Sequence, residues 1–374
     1  MKHELLEKTV LEFAKTFVEP LAQTIDEEER FPIETVKLLG QYGLMGLSVD
    51  KKYGGVGADT RAYIDTVRIL SRYCATTGVI LGAHTSLTCY PIQAFGSEEQ
   101  KKKYLPKLAS GKYLGAFGLT EPGAGSDASR QITKAKKLSD GSYVISGNKI
   151  FITNAGYADV YIIFAMTQPE LALKGISAFI VEKKSKGFTV GPKEKKLGIR
   201  GSSTCELILQ EVNVPAANLL GKEGEGFKIA MSTLDGGRIS IAAQALGIAE
   251  GAFDRTVTYI KKRQQFGKTI ASFQNSQFVI ADLATRIEAA KLLLYKAVND
   301  KDNGRSYTVS AAMAKLFCSE TAMEVANKAI QLHGGYGYIR EFDVERALRD
   351  AKITEIYEGT SEVQRMVIAG KVLK

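Results

Sequence analysis

Three short stretches of this 374-residue sequence hold side chains in arrangements that could do chemistry. The first is Phe117-Gly118-Leu119-Thr120-Glu121-Pro122-Gly123-Ala124-Gly125-Ser126-Asp127, a stiff turn dense in glycine. Its exposed N–H groups and the Thr120 and Ser126 hydroxyls could bind a flat polar ring or a phosphate, although a plain linker would read the same way. The second is Ile356-Tyr357-Glu358-Gly359-Thr360-Ser361-Glu362-Val363-Gln364-Arg365. Thr360 or Ser361 caps the last helix and Glu362 falls in its first turn. Glu358 then precedes the helix on a flexible glycine hinge, where a carboxylate can project into a cavity. A glutamate at a helix start more often serves only the helix dipole. The third is Asp235-Gly236-Gly237-Arg238. Two glycines inside a helical run cost about 2 kcal/mol relative to alanine, which points to a group packed close to the backbone or to a tight helix crossing.

Other chemistries are excluded by what is missing. Of the three histidines, His3, His84 and His333, none has metal-ligand spacing to another histidine or to a cysteine, so no metal site is expected. His333, beside Gly334-Gly335 at a helix end, suits the helix dipole better than it suits a base. There is no GxxxxGK[ST] loop. Gly123-Ala124-Gly125-Ser126-Asp127-Ala128 matches GxGxx[GA], but no strand–helix–strand unit surrounds it, so a Rossmann site is disfavoured. The net charge is +9, yet Lys101–Lys103, Lys136-Lys137, Lys195-Lys196 and Lys261–Arg263 are small clusters interrupted by acids and free of interleaved aromatics. Solvated faces account for most of them, with a small polyanionic ligand or an acidic protein partner for the remainder. Nucleic acid is not expected. No apolar run approaches a membrane span. The acidic, amphipathic N-terminus resembles no targeting peptide, and Cys74, Cys89, Cys205 and Cys318 lie far apart. Both features point to a cytoplasmic protein with buried thiols.

The elements that position these stretches can be read from composition. All eight prolines lie at or before Pro215, and the proline-free remainder reads as long helices over 226–263, 272–300, 307–333 and 361–374. The breakers between them are Phe266-Gly267, Asp302–Gly304 and His333–Gly337. The first ~115 residues are helical too, with two long helices over 58–95 and a capping box at Ser97–Gln100. Between them, Tyr143–Ile145, Ile150–Thr153, Tyr161–Phe164 and Ile176–Val181 read as strands, and Ser139-Asp140-Gly141 as a hairpin turn. Short strands without intervening helices predict an antiparallel β unit. The fold class is therefore α+β: a helical unit over 1–116, a middle β-barrel or sandwich over 117–224 and a C-terminal four-helix bundle over 225–374.

Six motifs in register carry a resemblance across essentially the whole chain. They are TEPGAGSD at 120–127, FITN at 151–154, LDGGRI at 234–239, RQQFGK at 263–268, QLHGGYGY at 331–338 and IYEGTSEVQR at 356–365. Together they resemble the acyl-CoA dehydrogenase family, closest to its bacterial butyryl-CoA and short-chain members. The resemblance implies FAD. Phe117, Leu119, Thr120, Gly125 and Ser126 would meet the flavin ring on one side, and Phe151, Ile152 and Thr153 on the other. Many relatives carry tryptophan at Phe151, whereas this chain has none. Arg263, Phe266, Gln274, Gln331, Leu332, Gly334 and Gly335 would hold the adenosine diphosphate half of FAD across a subunit boundary. Thr360, Ser361 and Glu362 would complete the flavin site, and Ser126, Asp235, Arg238, Tyr357 and Gly359 would touch acyl-CoA.

The implied reaction dehydrogenates a short-chain acyl-CoA at C2–C3. Glu358 takes the weakly acidic α-proton and flavin N5 takes the β-hydride. Carbonyl hydrogen bonds from the Glu358 N–H and a flavin hydroxyl would stabilise the enolate, and substrate would desolvate Glu358 and raise its pKa. In some family members the base sits on the earlier helix beside an arginine. Here that position is Gly237, which has no side chain. The family also implies a homotetramer, built as a dimer of dimers, and exchange of electrons with electron-transfer flavoprotein, which relatives meet near Glu194. Alternatives are the same site run as an enoyl-CoA reductase, an acyl-CoA oxidase, and a redox-inert acyl-CoA-binding scaffold.

Overall fold

A computed structural model describes residues 2–374. Seven helices come first: α1 Lys2–Phe13, α2 Ala22–Glu27, α3 Ile33–Gln41, α4 Thr60–Tyr73, α5 Ala75–His84, α6 Tyr90–Phe95 and α7 Glu98–Ala109. The two long helices expected over 58–95 are α4 and the α5–α6 run, which one wide five-residue turn at Thr85–Cys89 interrupts. Such turns recur at functional sites. The expected capping box is formed: Ser97 Oγ accepts from Gln100 N at 3.2 Å and Gln100 Oε1 accepts from Ser97 N at 3.0 Å.

Eight strands follow: β1 Gly115–Gly118, β2 Lys134–Lys137, β3 Tyr143–Ile152, β4 Val160–Met166, β5 Ile176–Glu182, β6 Phe188–Lys193, β7 Cys205–Val214 and β8 Leu219–Leu220. They form one sheet in the order β6-β7-β3-β2-β4-β5-β8, with β1 also paired to β4. The expected hairpin joins β2 to β3, with Asp140 Oδ1 accepting from Ser142 N at 2.9 Å and Gly141 at φ 83°.

The sheet corrects one expectation, because it is not purely antiparallel. β1 runs parallel to β4, Gly115 opposite Val160, and β2 touches β4 in parallel at Lys134–Met166. Parallel neighbours need a long crossover, and residues 119–159 supply it without a helix. β4, buried on both faces, accordingly reads as the unbroken apolar run VYIIFA. Ile162 and Phe164 pack towards Phe117, Leu105 and Ile229, whereas Tyr161 and Ile163 pack towards Tyr143, Phe179 and Leu207.

The remainder of the chain is α8 Gly226–Lys262, a small hairpin of β9 Gln264–Gln265 and β10 Lys268–Thr269, α9 Gln274–Asp302, α10 Thr308–His333, α11 Val344–Thr354 and α12 Ser361–Val372. The four expected helices are α8, α9, α10 and α12, whereas α11 had no counterpart in the sequence reading. α8 is apolar nearly all round because it crosses α10 on one side and α4 on the other. Val67, Leu70, Ile80, Ile239, Leu246, Leu294 and Ala314 merge both helical layers into one core. All four cysteines are free and buried. Among the described residues, no helix is long and apolar enough to cross a membrane, and no three His, Cys, Asp or Glu side chains gather as a metal site.

Candidate active site

Sheet, α5–α6 and α8 meet around a cavity of about 190 Å³. Most of the residues singled out in the sequence converge on it: Phe117, Leu119, Thr120, Gly125, Ser126, Phe151, Ile152, Thr153, Arg238, Tyr357, Glu358 and Gly359. Ala83, Leu87, Met231, Leu234 and Val363 add apolar walls that the motifs did not announce.

The glycine-rich loop is held from behind by a buried ion pair. Lys149 Nζ donates to Glu121 Oε1 at 2.7 Å, to Leu119 O at 3.1 Å and to Gln131 Oε1 at 3.1 Å. Glu121 also accepts from Ile132 N at 2.6 Å and Thr133 N at 3.1 Å. Burial pushes the Lys149 ammonium down to about 8, and Lys149 with the two N–H donors outweighs burial at Glu121 and holds its carboxyl below the usual range. In front of the clamp, Cβ atoms built at Gly123 and Gly125 would meet nothing within 4 Å, which leaves room for a ligand against the loop. Phe151 faces the cavity from the end of β3. Its φ of 58° and the slipped register between Lys149 and Ile152 turn the ring out, leaving it 62% exposed. A bulky residue takes that conformation only when its surroundings impose it.

Glu358 enters from the opposite wall. Its φ of 55° and that of Gly359, 92°, kink the chain sharply just before α12, which Thr360 caps by accepting from Val363 N at 3.3 Å. The hinge is pinned, contrary to the flexibility expected of it. Gln364 Nε2 donates to the carbonyls of Glu358 at 3.3 Å and Gly359 at 2.8 Å, and a Cβ at Gly359 would press on that amide at 2.7 Å. The carboxylate tip lies against Gly237, where a Cβ would overlap Glu358 Oε2 and meet Leu87 Cδ2 at 3.1 Å. This contact is what the double glycine accommodates on that side. Gly236 faces the Lys301 ammonium. Oε2 itself is buried and has no hydrogen-bond partner. Burial pushes the carboxyl up to about 7, against the pull of Arg238 and Lys315. Arg238 is committed through Nη1 to Asp235 Oδ1 at 2.5 Å, and Asp235 accepts from Thr308 Oγ1 at 2.6 Å. Tyr357, which also lines the cavity, donates to Gln244.

A separate cleft of about 580 Å³ gathers Arg263, Gln331, Leu332, Gly334 and Gly335. The two glycines have open space where side chains would be, and the Arg263 guanidinium lies 5.2 Å over the Tyr336 ring. His333 is stacked on Tyr259, its Nδ1 lies 2.7 Å from Ala329 O at the end of α10, and burial lowers its pKa. Phe266, 93% exposed on the β9–β10 hairpin, and Gln274, exposed at the start of α9, line neither cleft. Asp235 stands behind Arg238, and Ser361 and Glu362 belong to the first turn of α12, the serine buried and the glutamate exposed. Lys149, Gln244, Gln364 and Lys315 escaped the sequence reading. The only available signal was a polar residue inside an otherwise apolar helix face or strand.

Models of the acyl-CoA dehydrogenase N-terminal, middle and C-terminal domains match residues 1–112, 116–212 and 224–373. The chain is 56% identical over 373 residues to the short-chain-specific acyl-CoA dehydrogenase of Clostridium acetobutylicum, covering 100% of this chain and 98% of that one. It superposes with a TM-score of 0.98 on butyryl-CoA dehydrogenase from Megasphaera elsdenii, at 49% identity, covering 100% of this chain and 98% of the other. The same figures hold for a chain in a structure of the electron transferring flavoprotein of Acidaminococcus fermentans.

Proposed function

The chain belongs to the acyl-CoA dehydrogenase family, and from that premise we propose that it dehydrogenates a short-chain acyl-CoA to the trans-2-enoyl-CoA with Glu358 as the base. One observation carries the assignment: a buried carboxylate with an unpartnered oxygen and a pKa near 7 faces a cavity between α8 and the glycine-rich loop. A base poised near neutral pH can take the α-proton of a thioester and still be regenerated. Among the described residues the Glu358 N–H has no hydrogen-bond partner, so it is free to donate to the thioester carbonyl as enolate charge develops. The room expected for the thioester at Gly237 is taken by the Glu358 carboxylate itself. The proposed short acyl chain rests on the likeness to short-chain-specific relatives. Ser126, Asp235, Arg238, Tyr357 and Gly359 are assigned to acyl-CoA.

The cofactor is FAD, and the residues present fit it. The open faces at Gly123 and Gly125, the outward Phe151 ring and Thr153 suit a flat ring system, and Thr360–Glu362 border it. Arg263 with the open Gly334-Gly335 backbone suits a pyrophosphate, supplied by a second copy in a homotetramer. When bound, FAD supplies the hydride acceptor. Electron-transfer flavoprotein is the proposed electron partner, and Glu194, half-buried just past β6, is a candidate contact. Four buried free thiols accord with a cytoplasmic setting.

The test is an anaerobic absorbance titration. The purified protein should be yellow with one FAD per chain, and butyryl-CoA should bleach it whereas long-chain acyl-CoA should not. Glu358→Gln should keep the flavin, still bind butyryl-CoA and fail to bleach, with turnover down by roughly 10²–10⁴-fold or more. Bleaching of Glu358→Gln at the wild-type rate would remove Glu358 as the base.

A further inference from the structure

Lys315 plays no part in the reaction as set out so far. It lies on α10, its side chain is 0% exposed, and its Nζ makes no hydrogen bond. Among the described residues no carboxylate lies within 4.0 Å of that ammonium, an arrangement costly enough to require an explanation. One turn further on, Ser319 Oγ donates to Thr354 O at 2.8 Å and so fastens α10 to the end of α11, four residues before Glu358. The neighbourhood is unusually rich in unpartnered buried atoms: Glu358 Oε2, Arg238 Nε, Ser361 Oγ and Gln364 Oε1, drawn from α8, the base loop and α12. The charges whose fields bear on Lys315 are, in descending order, Glu358, Glu355, Arg238 and Glu362.

We propose that Lys315 is a positioning residue for the base: buried on α10, which Ser319 ties to the end of α11 just before Glu358, and not bonded to the carboxylate, its ammonium favours the ionised form of Glu358. The inference rests on the reading of Glu358 as base. Separation is what makes the arrangement useful. A direct bond would satisfy the carboxylate and make it inert, as Lys149 does to Glu121, whereas a charge at one remove biases ionisation and leaves both oxygens free for a proton. Arg238 cannot do this alone, because Asp235 already claims its Nη1. The groups facing Glu358 are Arg238 from α8, Lys315 from α10, Tyr357 from its own loop and Tyr63 from α4. Burial drives the Lys315 ammonium down to about 7, and the Glu358 carboxyl is among the charges that oppose this.

The experiment measures kcat/KM for butyryl-CoA with a dye acceptor from about pH 5.5 to about 9 in the FAD-loaded enzyme, Lys315→Met and Lys315→Arg. Without the cation, protonation of Glu358 becomes easier and the acid limb should move up by about one unit. That is a roughly tenfold loss near pH 6 and less than about twofold near pH 9. Lys315→Arg should keep the wild-type limb. Lys315→Met that keeps its flavin with an unmoved limb would overturn the proposal, and the base assignment would stand or fall separately on Glu358→Gln. Should Lys315→Met fail to hold flavin, Glu358→Gln is added to it. Recovery of flavin content and melting temperature in the double variant supports the pair, because both charges are then gone. Continued failure shows that Lys315 only fills space and overturns it.

Discussion

The molecule buries a lysine and a glutamate twice, on opposite sides of one cavity, and gives them opposite properties. Lys149 and Glu121 touch, and each finds further partners, the ammonium three acceptors and the carboxylate three donors in all. Lys315 and Glu358 do not touch, and each keeps an unpartnered polar atom. The Glu121 carboxyl is held low by its donors, while that of Glu358, desolvated with no bonded cation, rises to about 7. Hydrogen-bond satisfaction separates a clamp from a reactive group. A satisfied buried pair shapes a loop, and an unsatisfied one keeps the capacity to take a proton.

The strongest challenge to this contrast is to break the clamp. Lys149→Met strands the Glu121 carboxylate among N–H donors without its cation. Removing one partner of a buried pair costs about 3–5 kcal/mol, and the loop it supports should lose flavin as well. Thermal melting and flavin content check both, and a variant that melts and binds flavin like wild type would show that the pair does not shape the loop. Glu121→Gln added to Lys149→Met should recover part of the loss.

A second test moves the reactive carboxylate while leaving the clamp alone. In Glu358→Gly the space beside α8 opens, and adding Gly237→Glu delivers a carboxylate to the same α-carbon from the other wall. Turnover should rise on the order of tenfold or more above Glu358→Gly. Gly237→Glu alone should be poorly tolerated, because its Cβ would overlap Glu358 Oε2. Equal turnover in Glu358→Gly with and without Gly237→Glu would show that the α8 position cannot reach the substrate.

The smallest effect is one of pH. Glu358 has a folded pKa raised to about 7 from an ordinary value of 4.5, so its contribution to stability is fully present below 4.5 and is lost as pH rises through 7. Glu121 has the opposite sign: its contribution is present above 4.5 and is lost as pH falls through its depressed value. Between pH 7 and 4.5, then, turnover should fall while the melting temperature of wild type gains on that of Glu358→Gln. A constant gap between the two melting curves would contradict the raised pKa.

Much of this was legible in the sequence, for identifiable reasons. Helices α8, α9, α10 and α12 begin and end within about two residues of their expected spans, because glycine, proline and capping side chains act locally. The Glu358 hinge and the glycine-rich loop announce themselves through residues whose backbone needs are special. What stayed hidden depends on partners distant in sequence. Lys149 follows Ser146-Gly147-Asn148 in β3 and so reads as part of a solvent-facing stretch, and its partner Glu121 lies 28 residues away. Lys315 sits on a helix face rich in alanine, where a lone lysine reads as a solvated interruption. The parallel pairing of β1 with β4 is invisible to any short-range pattern, and α11 lies between two irregular segments.

That parallel pairing also sets an order of assembly. β1 cannot dock until β4 has formed and the intervening hairpin and glycine-rich loop have been drawn in, so Gly115 and Val160 meet only late. The core that joins α4 to α8 closes a longer stretch of chain still, so the cavity is complete only once the last helices have docked, and the cofactor meets a largely finished scaffold instead of nucleating it.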